Sequence, residues 1–146
     1  MTMHTLEIHI LTHDEADFIP YALRHWTSIA THVVVHDTDS TDGTREICRE
    51  FGAEIRDFKT DGVNDKLFKE LKESCWIYSE CDWIAVVDCD ELLYFPGGFY
   101  DTIAAYEGDG IPVVKPHGFE MFSDDFPSHG GMVYDEIKTG CPENEW

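Results

Sequence analysis

From Leu6 to Val87 the chain switches repeatedly between two spacings of apolar residues. Leu6 to Leu11, "LEIHIL", is rich in β-formers with partial alternation and predicts a first strand. Glu15 to Ile29 carries Phe18, Ile19, Ala22, Leu23 and Trp26 at helical spacing, with Pro20 in or near the first turn, where its missing N–H costs little. His32 to His36 reads as a short buried strand, and Thr44 to Phe51 as a helix ending at Gly52. Ala53 to Phe58 predicts a third strand. Asn64 to Ser79 predicts a helix with Leu67, Phe68, Leu71, Cys75 and Trp76 on one stripe. Trp83 to Val87 predicts a fourth strand. Beyond it the pattern is less regular: Tyr100 to Tyr106 suggests a short helix, and Ile111 to Val114 and Gly118 to Phe122 suggest strands.

Strands alternating with helices predict βαβ units, a mostly parallel sheet and a three-layer α/β/α arrangement. Short strands with few polar positions suit a sheet covered on both faces. The length suits a single domain spanning residues 1–146. In open sheets of this kind ligands bind outside the carboxyl ends of the strands. That rule selects three loops: "THDE" after the first strand, "DTDSTDGT" after the second and "DCDE" after the fourth. All three are rich in acids.

The net charge of −20, from 30 acids and 10 bases, argues against nucleic acid as a partner, since phosphate contacts need clustered Lys and Arg. It leaves room for a phosphorylated ligand bridged by a divalent cation. Hydrophobic residues at 42% are enough for a folded core. No apolar run approaches the roughly 18 residues that span a bilayer, and no basic, then apolar leader is visible. The expected compartment is therefore the cytoplasm, with peripheral association at a membrane left open. Five cysteines, an odd number without a CxxC pair, point to reduced thiols rather than disulfides or a zinc ribbon.

An apolar strand that delivers Asp88, Asp90 and Glu91 to one place asks for a cation among them. Carboxylates are hard oxygen ligands, and Mg²⁺ or Mn²⁺ held by one or two of them completes its shell with water and substrate phosphates. Asp37 sits on the end of the second strand, where a carboxylate accepts from a base N–H or a ribose hydroxyl. Asp42 and Gly43 suit a turn and helix cap. A calcium loop starting at Asp37 would need a bidentate Glu at its twelfth position, which is Cys48. His13, Asp14 and Glu15 suit either an acid-rich helix start or a ligand contact. His117 suits a packed strand or a late metal or phosphate contact. No nucleophile elbow and no glycine-rich phosphate loop is present.

Taken in order, "HDEADFIPYALRHW", "HVVVHDTDSTDGTREI", "FGAEI" and "DWIAVVDCDELL" resemble the family 2 glycosyltransferases of the GT-A fold, a Rossmann-like sandwich. "HGFEMFSDDFP" resembles a later segment of one bacterial branch. The resemblance implies transfer of a sugar from a nucleotide diphosphate sugar to a glycan, lipid or protein acceptor, with Mn²⁺ or Mg²⁺. It implies that Asp37 meets the base or ribose, that Glu15 lies in the donor pocket and that Asp65 lines the nucleotide site. Asp88 and Asp90 match the DxD motif, with Asp90 in direct metal contact and Asp88 on the ribose or a metal-bound water. Glu91 orients the motif. His13-Asp14 departs from the family's usual Arg or His followed by Asn. Family members also run longer, and the acceptor site and the catalytic base belong to that later part. The base must take the acceptor hydroxyl proton, and Asp124 and Asp125 are the late acidic pair available for it.

Two further readings stand beside this one. The first is a short or truncated nucleotide-sugar-binding module without transfer activity, whose open sheet edge would invite a homodimer. The second is a nucleotidyltransferase, disfavoured by the lack of a basic glycine-rich loop.

Overall fold

The computed structural model describes residues 4–62, 64–128 and 130–142. The chain divides into two compact units, Met1–Leu92 and Leu93–Trp146. In the first, the strands are β1 (Leu6–Thr12), β2 (His32–Asp37), β3 (Glu54–Asp57) and β4 (Trp83–Asp88). The helices between them are α1 (Ile19–Thr27), α2 (Thr44–Glu50) and α3 (Asp65–Ser74). The four strands form one parallel sheet in the order β3-β2-β1-β4. The expected α/β class with a mostly parallel sheet is the one observed.

Register decides which side chains share a face. Ile8 pairs with Val33 and Ala85, and Ile10 with Val35 and Val87. These residues make one apolar face, and Ile8, Ile10 and Val35 are fully buried. Each such aliphatic side chain contributes about 1.5–3 kcal/mol on burial. α2 covers this side, since its Arg45 reaches Asp37 and Asp57, which pair across β2 and β3. α1 packs against α2 and buries Ile19, Ala22, Leu23 and Trp26. The opposite face carries Glu7, His9 and Leu11 on β1, His32, Val34 and His36 on β2, and Ile84, Val86 and Asp88 on β4. α3 lies on that side, with Lys72 bonded to Asp88. The helices thus cover both faces, as a right-handed crossover requires when the strand order reverses after β3.

Element ends differ from the sequence pattern in small ways. α1 begins at Ile19 rather than Glu15: the carbonyl of Glu15 closes a turn with the N–H groups of Phe18 and Ile19, and Pro20 lies in the first helical turn. α3 stops at Ser74 rather than Ser79, and its N-cap is Asn64, whose side chain accepts from the Leu67 N–H.

The second unit holds α4 (Phe99–Gly108), β5 (Phe119–Phe122), α5 (Val133–Glu136) and β6 (Thr139–Pro142). β5 and β6 pair antiparallel. Gly140 is needed there, because a Cβ would meet the Glu120 carbonyl oxygen at 2.5 Å. The strand expected at Ile111–Val114 is absent, with Pro112 inside it and Pro116 just after it removing ladder donors. α5 and β6 carry no periodic signal and were not anticipated. No helix among the described residues is long and apolar enough to cross a membrane.

Candidate functional site

The strand order reverses between β1 and β4, and the carboxyl ends of these two strands enclose a cleft of about 460 Å³. This is the switch point at which open α/β sheets bind ligands. Leu11, Thr12, His13 and Glu15 come from the β1 end, Asp88, Cys89 and Asp90 from the β4 end. Phe18 and, from α3, Phe68 and Lys72 complete the wall. The hydroxyl of Thr12 is buried and has no hydrogen-bond partner among the described residues.

Asp88 leaves β4 half-buried, and its two carboxylate oxygens each lie 2.8 Å from Lys72 Nζ. Asp90, two residues on, is exposed on the cleft wall. Glu91 turns back so that its Oε2 accepts from the Asp88 N–H at 2.8 Å, which ties the turn that separates the two aspartates. Glu15 is partly buried and hydrogen-bonds Cys89. Burial, with Glu15 and Asp90 beside it, pushes the Cys89 thiol well above its ordinary range, so this cysteine stays protonated. The cleft therefore brings together three acids, one lysine and His13, whose Nδ1 lies 2.6 Å from the Thr38 carbonyl.

The β2 loop uses its acids differently. Asp37 is 1% exposed, and both carboxylate oxygens are taken. Arg45 donates to Oδ2 at 2.7 Å, and Ser40 donates from its N–H and its hydroxyl. Asp37 lies outside the lining of the cleft. Asp42 accepts from the N–H and hydroxyl of Thr44 and from the Ala16 N–H. The Thr44 hydroxyl bond leads the causes that hold the Asp42 carboxyl below its usual range. Asp14 accepts from the Thr41 N–H, its own N–H donates to Ser40, and the Glu15 N–H donates to Thr44. The first and second loops are thus zipped together by these side chains. The left-handed Gly43, at φ 104°, opens α2 beneath them.

The other expected residues lie elsewhere. Asp65 is the exposed first residue of α3 and does not line the cleft. Asp124 and Asp125 lie in the second unit, exposed, just after β5. Lys72 and the aromatic wall of Phe18 and Phe68 were not anticipated as site residues. The available signal was the spacing of Phe68 and Lys72, one helical turn apart on α3.

Mn²⁺ or Mg²⁺ fits this donor set by its chemistry. Asp88 and Asp90 offer hard oxygens one residue apart at an open cleft, and such ions need only one or two carboxylates from the protein. Among the described residues, however, no three ligating atoms of the cleft acids converge. Among the described residues the one group that does is His9, His36 and Cys75, under α3.

No family model and no curated protein matches the sequence. Solved structures do. The chain is similar to glucosyl-3-phosphoglycerate synthase from Mycobacterium tuberculosis with Mn²⁺, UDP and glucosyl-3-phosphoglycerate, at 13% identity and a TM-score of 0.46, covering 59% of this chain and 33% of that one. For the same enzyme with UDP the figures are 14%, 0.47, 61% and 35%. For mannosyl-3-phosphoglycerate synthase from Rubrobacter xylanophilus they are 19%, 0.46, 64% and 33%. The chain spans about a third of the length of the structures it matches.

Proposed function

We propose that this chain binds a nucleotide diphosphate sugar in the β1/β4 cleft and takes part in metal-dependent glycosyl transfer. The observation that carries the reading is the position of Asp88 and Asp90. They stand at the carboxyl end of β4, beside the point where the strand order reverses, with Glu15 facing them from β1. Asp90, exposed, is the direct ligand for Mn²⁺ or Mg²⁺, and Asp88 contacts the ribose or a metal-bound water. The bond from the Asp88 N–H to Glu91 supports an orienting role for Glu91. The bound cation supplies Lewis-acid stabilisation of the departing diphosphate.

The protein groups do the rest. Lys72 exchanges Asp88 for a phosphate oxygen when the donor enters, so the cleft is not left with uncompensated negative charge. Glu15 holds the donor from the β1 side, and Asp65 approaches the nucleotide from the start of α3. Asp37 acts through Arg45 and the Ser40 turn, which it holds in place below the nucleotide. In the transfer step the acceptor oxygen bonds to the anomeric carbon as the bond to the diphosphate breaks. The acceptor proton passes to a carboxylate, for which Asp124 and Asp125 are the residues to test.

The test is release of nucleoside diphosphate from a panel of nucleotide sugars, with and without Mn²⁺ and with candidate glycan acceptors. The reading predicts metal-dependent release that Asp90→Ala abolishes. Binding of nucleotide and metal without release from any donor would favour a donor-binding module that lacks transfer. Neither binding nor release would overturn both.

A further inference from the structure

The sheet face under α3 sets buried polar residues among Leu11, Val34, Ile84 and Val86, where such a face is normally apolar throughout. His9 is fully buried and His36 nearly so, and they meet edge to edge with His9 Nδ1 2.9 Å from His36 Nε2. The other nitrogen of His9, Nε2, lies 2.8 Å from Glu7 Oε1. A carboxylate only accepts, so His9 carries its proton on Nε2 and presents a bare lone pair at Nδ1. His36 must then donate from Nε2, and a single proton occupies the space between the rings. Cys75, the C-cap of α3, offers its sulfur to the same point: the ligating atoms of His9, His36 and Cys75 all lie within 4.8 Å of one another.

We propose that His9 Nδ1, His36 Nε2 and the Cys75 thiolate form a second divalent-metal site, distinct from the cleft and suited to Zn²⁺. Two imidazoles and a thiolate are the borderline-soft set that Zn²⁺ prefers over the all-oxygen set of Mg²⁺. Tetrahedral bonds of about 2.0–2.1 Å place two ligating nitrogens roughly 3.3 Å apart. The two nitrogens therefore need to part by roughly 0.4 Å, and the rings must turn so that both nitrogens, which now face each other, aim at a common point toward Cys75. Glu7 on the far nitrogen of His9 is the outer carboxylate that fixes a metal-ligating histidine, and its second oxygen is itself held by His32 Nδ1 at 2.9 Å. Burial lowers the pKa of both imidazoles, which favours the neutral, ligating form.

The protons balance. Cys75 releases one to solvent, and the His36 ring proton moves from Nε2 to Nδ1 as the metal takes its place. The half-buried Cys75 provides the route of entry. α3 has no buried residue of its own, so the ion would pin its C-terminal end to β1 and β2. The same helix supplies Phe68 and Lys72 to the cleft.

Titration of the metal-free chain with Co²⁺ tests the site by thiolate-to-cobalt charge-transfer absorption. We expect the band to saturate at one equivalent and to persist in Asp90→Asn. It should vanish in Cys75→Ser with the circular dichroism unchanged. Glu7→Gln should weaken binding about 10–100-fold. Zn²⁺ should slow alkylation of Cys75, followed by mass spectrometry, while leaving Cys81 and Cys141 unaffected. No charge-transfer band at saturating Co²⁺, a band that survives Cys75→Ser, or equal alkylation of Cys75 with and without Zn²⁺ would each overturn the proposal.

Discussion

The loops after β2 and β4 look alike as sequence, each a strand end followed by closely spaced aspartates. In the folded chain they do opposite things. In the β2 loop, Asp37 and Asp42 spend their oxygens on Arg45, Ser40, Thr44 and the Ala16 N–H, so they build the loop. In the β4 loop, Glu91 does the building by binding the Asp88 N–H, and Asp88 and Asp90 keep their carboxylates toward the cleft. An acid already saturated by the protein is architecture. An acid at the cleft that meets only a single lysine, or solvent, is available for a ligand.

If that contrast is right, the largest effect belongs to Asp37→Ala. It removes a buried carboxylate from Arg45 and is expected to cost about 3 kcal/mol, read as a lower urea midpoint, with Asp57 still holding part of the guanidinium. A loss below about 1 kcal/mol would put Asp37 among the available acids instead.

Next in size is a pH effect on the polar sheet face. Burial, with His9 beside it, lowers the His36 pKa from its ordinary 6.5 to about 4. Between those values the unfolded chain binds the proton and the folded chain does not, so stability falls as pH drops from 6.5 toward 4 and is fully present above 6.5. The loss should reach about 2 kcal/mol by pH 5 in metal-free protein. Glu7 adds to it at lower pH. Burial raises its carboxyl, but bonds from His32, Ser79 and His9 outweigh that and hold it below the usual range. Its stabilisation is therefore lost as pH falls through that lowered value. Denaturant melts at pH 7 and pH 5 measure the slope, which His36→Gln should largely remove.

Asp42→Ala should cost about 1 kcal/mol, as for loss of a helix-terminal cap, and Thr44→Val a similar amount. Both should loosen the Asp14–Thr41 zipper, visible as faster amide exchange at Thr41. The smallest stability change belongs to Asp90→Ala, within about 0.5 kcal/mol. A larger loss would mean that Asp90, too, is structural.

The four strands and the two loops at the switch point were legible because buried parallel strands are short apolar runs and the loops after them are acid-rich. What was not legible depends on register. Asp14 and Thr41 meet across 27 positions, and His9 and His36 also across 27. Only the pairing of β1 with β2 brings them together. His9 reads as an ordinary strand residue in "LEIHIL", and Cys75 as one more residue on a helix stripe. Lys72 was hidden for the same reason, since its partner Asp88 lies 16 residues on and across the β4 end. The zipper also changes how "HDE" is read: Asp14, at φ 52°, serves the β2 loop, while His13 and Glu15 line the cleft.

The central claim is that Asp88 and Asp90 join a divalent cation to a nucleoside diphosphate. The most direct measurement is the thermal shift of the wild type and Asp90→Ala with UDP, GDP, dTDP and CDP, each with and without Mn²⁺. At 100 times its dissociation constant a ligand adds about 2.7 kcal/mol to stability, a shift of several degrees in a domain of this size. The account predicts a shift for at least one nucleotide that needs Mn²⁺ and disappears in Asp90→Ala. A nucleotide shift that ignores the metal or survives Asp90→Ala, or no shift with any of the four, would contradict it.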